Sequence, residues 1–227
     1  MMADARDGGL QMKKGAIFDQ DGLMFDTEAI FSLAWAQAGE TLGFVIPDGF
    51  RAAVSGSGQE TAKRIIRDRI PGADPDELTE LAYRISYEIQ SRALPEKPGL
   101  HEILDFFRSH GVKMAVASSS HRLPVERNLE RSGVRPYFEA VVTGEDVSRG
   151  KPDPEAFLTA AERLGLSPED CYVFEDSFNG VRAGHAAGCC TVMIPDLLQP
   201  DGEIAQYYDA CFPDLLTAME QIKNGTI

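Results

Sequence analysis

Gly15-Ala16-Ile17-Phe18-Asp19-Gln20-Asp21-Gly22-Leu23-Met24-Phe25-Asp26-Thr27 is the stretch that decides the fold. Its apolar start is too short for a helix and runs straight into Asp-x-Asp-Gly, so it reads as a buried strand, Gly15 to Asp19, ending in carboxylates. Working outward, similar runs recur at Val112 to Ser118, Ala140 to Thr143, Cys171 to Glu175 and Cys190 to Ile194, with a weaker one at Ala210 to Phe212. Between them stand helical patterns at Leu100 to Ser109, Pro124 to Ser132, Glu155 to Leu164 and Phe178 to Ala187, stopped by Gly111, Gly133, Gly165 and Gly188. Strands alternating with helices imply a parallel sheet covered on both faces, a Rossmann-like doubly wound α/β core.

One interval breaks the alternation. Residues 27–97 carry helical periodicity and no strand, divided at Gly43 to Asp48, at Ser55 to Gly58 and at Pro71 to Pro75 into three or four helices. No ordinary strand-to-helix connection is that long. The expected organisation is a core of residues 12–26 and 98–227, an inserted helical cap of 27–97 hinged near Asp26-Thr27 and Glu96 to Gly99, and a flexible leader of 1–11.

Bulk properties narrow the function classes. The chain has 227 residues, 43% of them hydrophobic and 26% charged, as a globular fold requires. Its net charge of -14 repels a phosphate backbone or an anionic bilayer, so neither nucleic acid nor membrane is expected as a partner. The first eleven residues lack the basic and apolar regions of a secretory signal, and the expected compartment is the cytoplasm. No obligate protein partner is evident. Cys171, Cys189, Cys190 and Cys211 lack metal-site or disulfide spacing and read as reduced, buried thiols.

In open parallel sheets ligands bind beyond the carboxyl ends of the strands. At those ends stand Asp19-Gln20-Asp21, Ser118-Ser119-Ser120 and Glu175-Asp176-Ser177, and the strand at 140–143 leads into Gly150-Lys151-Pro152. Each piece taken singly reads as a turn, a helix cap or a solvated loop lysine. Taken together they put carboxylates, hydroxyls and one lysine on a single rim. In extended chain Asp19 and Asp21 lie on one side, about 6.6 Å apart at ~3.3 Å rise per residue. Glu175 and Asp176 add charge that is tolerable only beside a hard, oxygen-loving cation, and Mg²⁺ suits such a carboxylate-and-water shell. In the reaction this chemistry fits, one carboxylate attacks phosphorus and the other supplies and removes protons. Lys151 opposes the charge on the transferring group, and Ser118 with nearby amides orients its oxygens.

These motifs resemble, in order and spacing, the four motifs of the haloacid dehalogenase superfamily: Asp19 to Thr27, Ser118, Gly150 to Pro154, and Glu175 to Gly180. The likeness spans roughly Lys14 to Met219, in the capped branch similar to β-phosphoglucomutase and phosphoglycolate phosphatase. It implies Asp19 as nucleophile and Asp21 as acid/base. Ser118, Ser119, Lys151 and Asn179 become phosphate or substrate contacts. Asp19, Asp21 through its backbone carbonyl, and Asp176 become the Mg²⁺ ligands, with Glu175 close by, and the helical interval becomes a lid that selects a small phosphorylated metabolite.

Within the superfamily, Asp21 and the Glu175-Asp176 pair weigh against metal-free dehalogenation. Mutases similar to β-phosphoglucomutase carry a His on the first cap helix and a Lys on a later one, where this chain reads Phe31 and Ile85. The expectation is therefore a phosphatase acting on phosphosugars, with a mutase as the alternative and a phospho-acceptor module as a second one that a long lid disfavours. The loop Val54 to Gln59 with Lys63 and Arg64 could meet a sugar phosphate, though Lys63, Arg64, Arg67 and Arg69 read first as a solvated helix face. His121 reads equally as a phosphate contact or a helix-start residue, His185 as a packed or surface histidine, and Trp35, with Phe31 and Leu42, as cap core ahead of a substrate platform.

Overall fold

The computed structural model describes residues 12–227 except 55, 56 and 58. The leader 1–11 and the tip of the 54–59 loop therefore lie outside the described residues. Six strands, β1 (Gly15–Phe18), β2 (Lys113–Ala117), β3 (Ala140–Val142), β4 (Cys171–Glu175), β5 (Cys190–Met193) and β6 (Ala210–Cys211), form one sheet in the order β3-β2-β1-β4-β5-β6. Every pairing is parallel, with Ile17 opposite Ala115 on one side and Val173 on the other.

Alternation along the strands divides two apolar cores. Ala16, Phe18, Val116, Tyr172 and Phe174 face the helices α5 (Leu100–Ser109), α6 (Arg122–Arg131) and α9 (Leu215–Lys223). Ile17, Ala115, Ala117 and Val173 face α7 (Glu155–Leu164) and α8 (Phe178–Ala187). Phe18 and Phe174 stack across neighbouring strands with ring centroids 4.8 Å apart, and truncating either to Ala would cost ~3–5 kcal/mol. The pattern at 124–132 forms α6 two residues earlier, at Arg122, because a proline is accommodated within the first helical turn.

Residues between β1 and α5 form α1 (Glu28–Leu42), α2 (Phe50–Val54), α3 (Gln59–Arg69) and α4 (Pro75–Gln90). They bury their own cluster, centred on Phe31, Trp35, Phe50, Ile66 and Leu78. The chain leaves and re-enters the sheet layer side by side. The Asp26 amide donates to the Pro95 carbonyl at 2.8 Å, the Lys97 amide to that of Met24 at 2.9 Å, and Phe25 bridges to Glu96. Arg131 grips the carboxyl end of α4, donating to the carbonyls of Gln90 at 2.9 Å and Arg92 at 3.0 Å, where the helix dipole favours a cation.

The four cysteines are free, and burial raises their thiols, that of Cys171 to about 11 and that of Cys189 to about 12. Among the described residues no helix is long and apolar enough to cross a membrane.

Candidate active site

Strand order reverses direction between β1 and β4, and in such sheets that crevice is where ligands sit. Asp19 directly follows β1, and Glu175 and Asp176 close β4. The Asp19 amide donates to the Phe174 carbonyl at 3.0 Å, which locks the two strand ends together.

Lys151 reaches into this crevice from the loop after β3 and is 1% exposed. Its ammonium lies 2.5 Å from Asp19 Oδ1, 2.5 Å from Glu175 Oε1 and 3.0 Å from the Ala117 carbonyl, which uses all three of its donors. It also sits 4.7 Å from the centre of the Phe157 ring. Burial alone would lower the lysine's pKa, but Asp19 and Glu175 outweigh it and hold the value above that of an ordinary lysine. Burial pushes the Asp19 carboxyl up; Lys151 opposes this, while Glu175 and Asp21 add to it. The shifts of the two partners are compatible because the lysine's single charge is divided between two acids. Asp176 is raised too, by burial first and then by Glu175 and Asp19.

Asp21 is oriented from both sides. Thr27 donates its hydroxyl to Oδ1 at 3.0 Å and Ser120 donates to Oδ2 at 2.8 Å. Ser118 Oγ stands 3.5 Å from Oδ2, a long contact, and itself accepts from the Ser120 amide at 3.1 Å. Neither Thr27 nor Ser120 was singled out from sequence, although both belong to the quoted motifs and their hydroxyls were the signal.

The loop carrying Lys151 is held by two carboxylates. Asp146 accepts from the Thr143 amide and hydroxyl, both at 2.8 Å, and from Arg163 at 2.8 Å; it also pairs with Arg122. Glu155, at the start of α7, accepts from the amides of Ser148 at 2.8 Å and Arg149 at 2.9 Å.

A family model described as haloacid dehalogenase-like hydrolase matches residues 13–188. The chain belongs to that family. It is 33% identical over 77% of its length to a phosphorylated carbohydrates phosphatase of Thermotoga maritima, covering 82% of that protein. It is 32% identical over 79% of its length to the β-phosphoglucomutase of Bacillus subtilis, covering 82% of it. A crystal structure of a putative β-phosphoglucomutase from Thermotoga maritima superposes with a TM-score of 0.71 at 27% identity, covering 93% of this chain and 99% of that one.

As a haloacid dehalogenase-like hydrolase, the chain can be tested for the cation its motifs imply. Asp19, Glu175 and Asp176 are buried together, with half-buried Asp21 beside Asp19 and Lys151 paired to two of them, an excess of acidic groups that a hard divalent cation would offset. Gly22, at φ +88°, lets the backbone approach so closely that a Cβ there would lie 2.4 Å from Asp176 Oδ2. The residues fit such a cation, but not as four carboxylates. Glu175 Oε1 is taken by Lys151, and Oε2 accepts from the amides of Asp176 and Ser177 and the Ser177 hydroxyl, each at 3.0 Å. Among the described residues no three acid, His or Cys side chains could hold a metal by themselves. Two carboxylates, Asp19 and Asp176, with the Asp21 carbonyl remain, and Glu175 stands as the anchor of Lys151 and of the turn into α8.

Ser119 follows Ser118 on the rim and lines two adjoining clefts, whereas Asn179, the second residue of α8, lines neither. His121 Nδ1 lies 3.0 Å from Glu145 Oε1, and exposed His185 packs edge-on against Tyr207.

Proposed function

We propose that the chain is a Mg²⁺-dependent phosphatase of small phosphate monoesters, phosphosugars foremost, acting through an aspartyl-phosphate on Asp19. The observation that carries this reading is the convergence of Asp19, Asp21, Asp176 and Lys151 at the β1–β4 switch point. Asp19 forms a bond to phosphorus as the bond to the leaving oxygen breaks. Asp21, protonated at that moment, gives its proton to that oxygen; it then takes one from water, which attacks phosphorus and releases Asp19. Thr27 and Ser120 fix the direction in which that proton moves. Lys151 and Ser118 orient the phosphoryl oxygens, with Ser119 and Asn179 completing the contacts. Asp19, Asp176 and the Asp21 carbonyl would hold Mg²⁺, which offsets the negative charge that otherwise keeps nucleophile and phosphate apart.

The core comprises residues 12–26 and 98–227, and 27–97 act as a cap whose closure excludes water. The carbohydrate phosphatase relative supports a small phosphorylated metabolite as substrate. The β-phosphoglucomutase relative raises a mutase reading, but the position where such mutases carry a histidine holds Phe31, 4% exposed and packed edge-on against Tyr83 at 5.5 Å. Incubation of the purified protein with MgCl₂ and a panel of sugar phosphates tests the proposal. Phosphate release supports it, and none from the panel or from p-nitrophenyl phosphate contradicts it.

A further inference from the structure

The Asp21 carbonyl and the Asp176 carboxylate rest on different supports. Asp176 directly follows β4, which has a paired strand on either side, whereas Asp21 belongs to a short turn that leaves the sheet after β1. Within that turn the Gly22 amide donates to the Phe25 carbonyl at 2.9 Å, and the Met24 amide to that of Gln20 at 3.0 Å. So small a turn holds a carbonyl still only with help from outside. The help comes from the segment by which the helical insertion returns: the Lys97 amide donates to the Met24 carbonyl at 2.9 Å, and Glu96 bridges to Phe25. That segment is itself seated on the core. At Gly99, φ +86°, a Cβ would lie 2.2 Å from the Leu216 amide nitrogen, so the backbone there packs directly on the start of α9.

The side chain of Lys97 closes the frame. Its ammonium lies 2.7 Å from Asp196 Oδ1 and 3.4 Å from Asp26 Oδ1, and the Lys97 and Asp196 side chains are both mostly buried. Asp196 stands in the loop after β5, two residues beyond Ile194, whose amide donates to the Glu175 carbonyl at 2.7 Å. One ion pair therefore joins the segment that supports Asp21 to the loop clamped beside Asp176. The charge of Asp196 reaches Asp176, where it adds to burial, Glu175, Asp19 and Glu28 in raising that carboxyl. We infer that Lys97 and Asp196 are positioning residues, a brace that sets the span between the Asp21 carbonyl and Asp176 and so tunes the site to Mg²⁺. This rests on the cation site proposed above. Mg²⁺ demands near-ideal octahedral geometry with short bonds, whereas Ca²⁺ accepts longer and more varied ones, so a slackened span penalises Mg²⁺ more. Geometry and charge make opposite forecasts for Lys97. Deleting a nearby positive charge would by itself strengthen the pull on a cation, and deleting a brace weakens it.

Calorimetric titration of the purified chain with MgCl₂ and with CaCl₂, in the absence of any phosphate ester, tests the brace. Lys97→Met is expected to weaken Mg²⁺ binding ~10-fold, the usual scale for losing a partner behind the ligands, and Ca²⁺ binding by less. Lys97→Arg, which keeps the charge and the reach, is expected to restore most of the loss. Asp196→Asn is expected to lower the preference for Mg²⁺ over Ca²⁺ as Lys97→Met does. Thermal unfolding without cation checks that each variant is folded; should Lys97→Met fail to fold, the ratio of the two affinities in Asp196→Asn decides. Unchanged or tighter Mg²⁺ binding by folded Lys97→Met overturns the inference, as does a loss of equal size for both cations. A native chain that binds neither cation overturns the cation site and the brace with it. Cation binding that responds as expected, in a chain that turns over no phosphate ester, upholds the brace and counts against the phosphatase reading alone.

Discussion

Lys151 Nζ lies 2.5 Å from Glu175 Oε1, and both side chains are almost wholly buried. The contact explains how one lysine stands in an acid cluster at a fixed place: Glu175 anchors its charge, leaving Asp19 with only part of it. Replacing Lys151 with Met leaves three buried acids without their protein cation. Breaking a buried pair from one side costs about 3–5 kcal/mol, and chemical denaturation in the absence of divalent cation is expected to read a loss of that order. Turnover with Mg²⁺ is expected to fall ~10²–10³-fold, the usual effect of removing one group that stabilises transition-state charge.

Gly180 stands where Glu175 turns back: a Cβ there would lie 1.8 Å from the Glu175 carboxyl carbon. Because Glu175 has no room to yield, Gly180→Ala is expected to destabilise the fold by ~1–3 kcal/mol, as overpacking does, and to lower turnover by displacing Lys151. Thermal unfolding beside a kcat measurement checks both. An alanine variant with native stability and activity would show that Glu175 is not held as described.

The Thr27 and Ser120 hydroxyls both donate to Asp21, so their removal tests its proton role without touching the nucleophile. Thr27→Val and Ser120→Ala are each expected to lower kcat ~10-fold or more and to move the limb of the pH profile that belongs to the leaving-group proton, a fraction of the ~10²–10⁴ that general acid–base catalysis contributes. Unchanged profiles in both variants would remove Asp21 from that role.

Much of this site is legible in the sequence because it sits where strands end. Ile17 and Phe18 announce β1 by their apolarity, and the polar residues that follow fall at its carboxyl end whatever the details of packing. Gly150-Lys151-Pro152 is equally local. What escaped detection depends on distant partners. Glu175 looks like a cation ligand until Lys151, twenty-four positions before it, takes one of its oxygens. Arg51 reads as an unremarkable helix residue until α1 brings Glu28 against it. The helix Leu215–Lys223 has no comparable local signal, because its buried Leu215, Ala218 and Ile222 find their partners on α5, far away in sequence.

Asp146 offers a pH test remote from the acid cluster. Burial on its own would raise its carboxyl, but hydrogen bonds from Arg163 and Thr143, with the charge of Arg122, outweigh it and hold the pKa down to about 2. A carboxyl whose folded pKa lies below its unfolded value, about 3.8, stabilises the fold above that unfolded value and loses the effect as pH falls through the folded one. Asp146→Asn should therefore be less stable than the native protein at pH 6, by roughly 1–3 kcal/mol, with the gap closing between about pH 4 and pH 2. A gap that stays constant over that window would mean the carboxylate's charge is not what holds the loop.

The central claim is that Asp19 itself accepts the phosphoryl group. Rapid acid quenching of enzyme mixed with Mg²⁺ and a ³²P-labelled sugar phosphate, followed by peptide mapping, tests this directly. The account predicts acid-stable label on the peptide containing Asp19 and none in Asp19→Asn. Phosphate release by the native enzyme with label absent from that peptide, or carried on another residue, would contradict it.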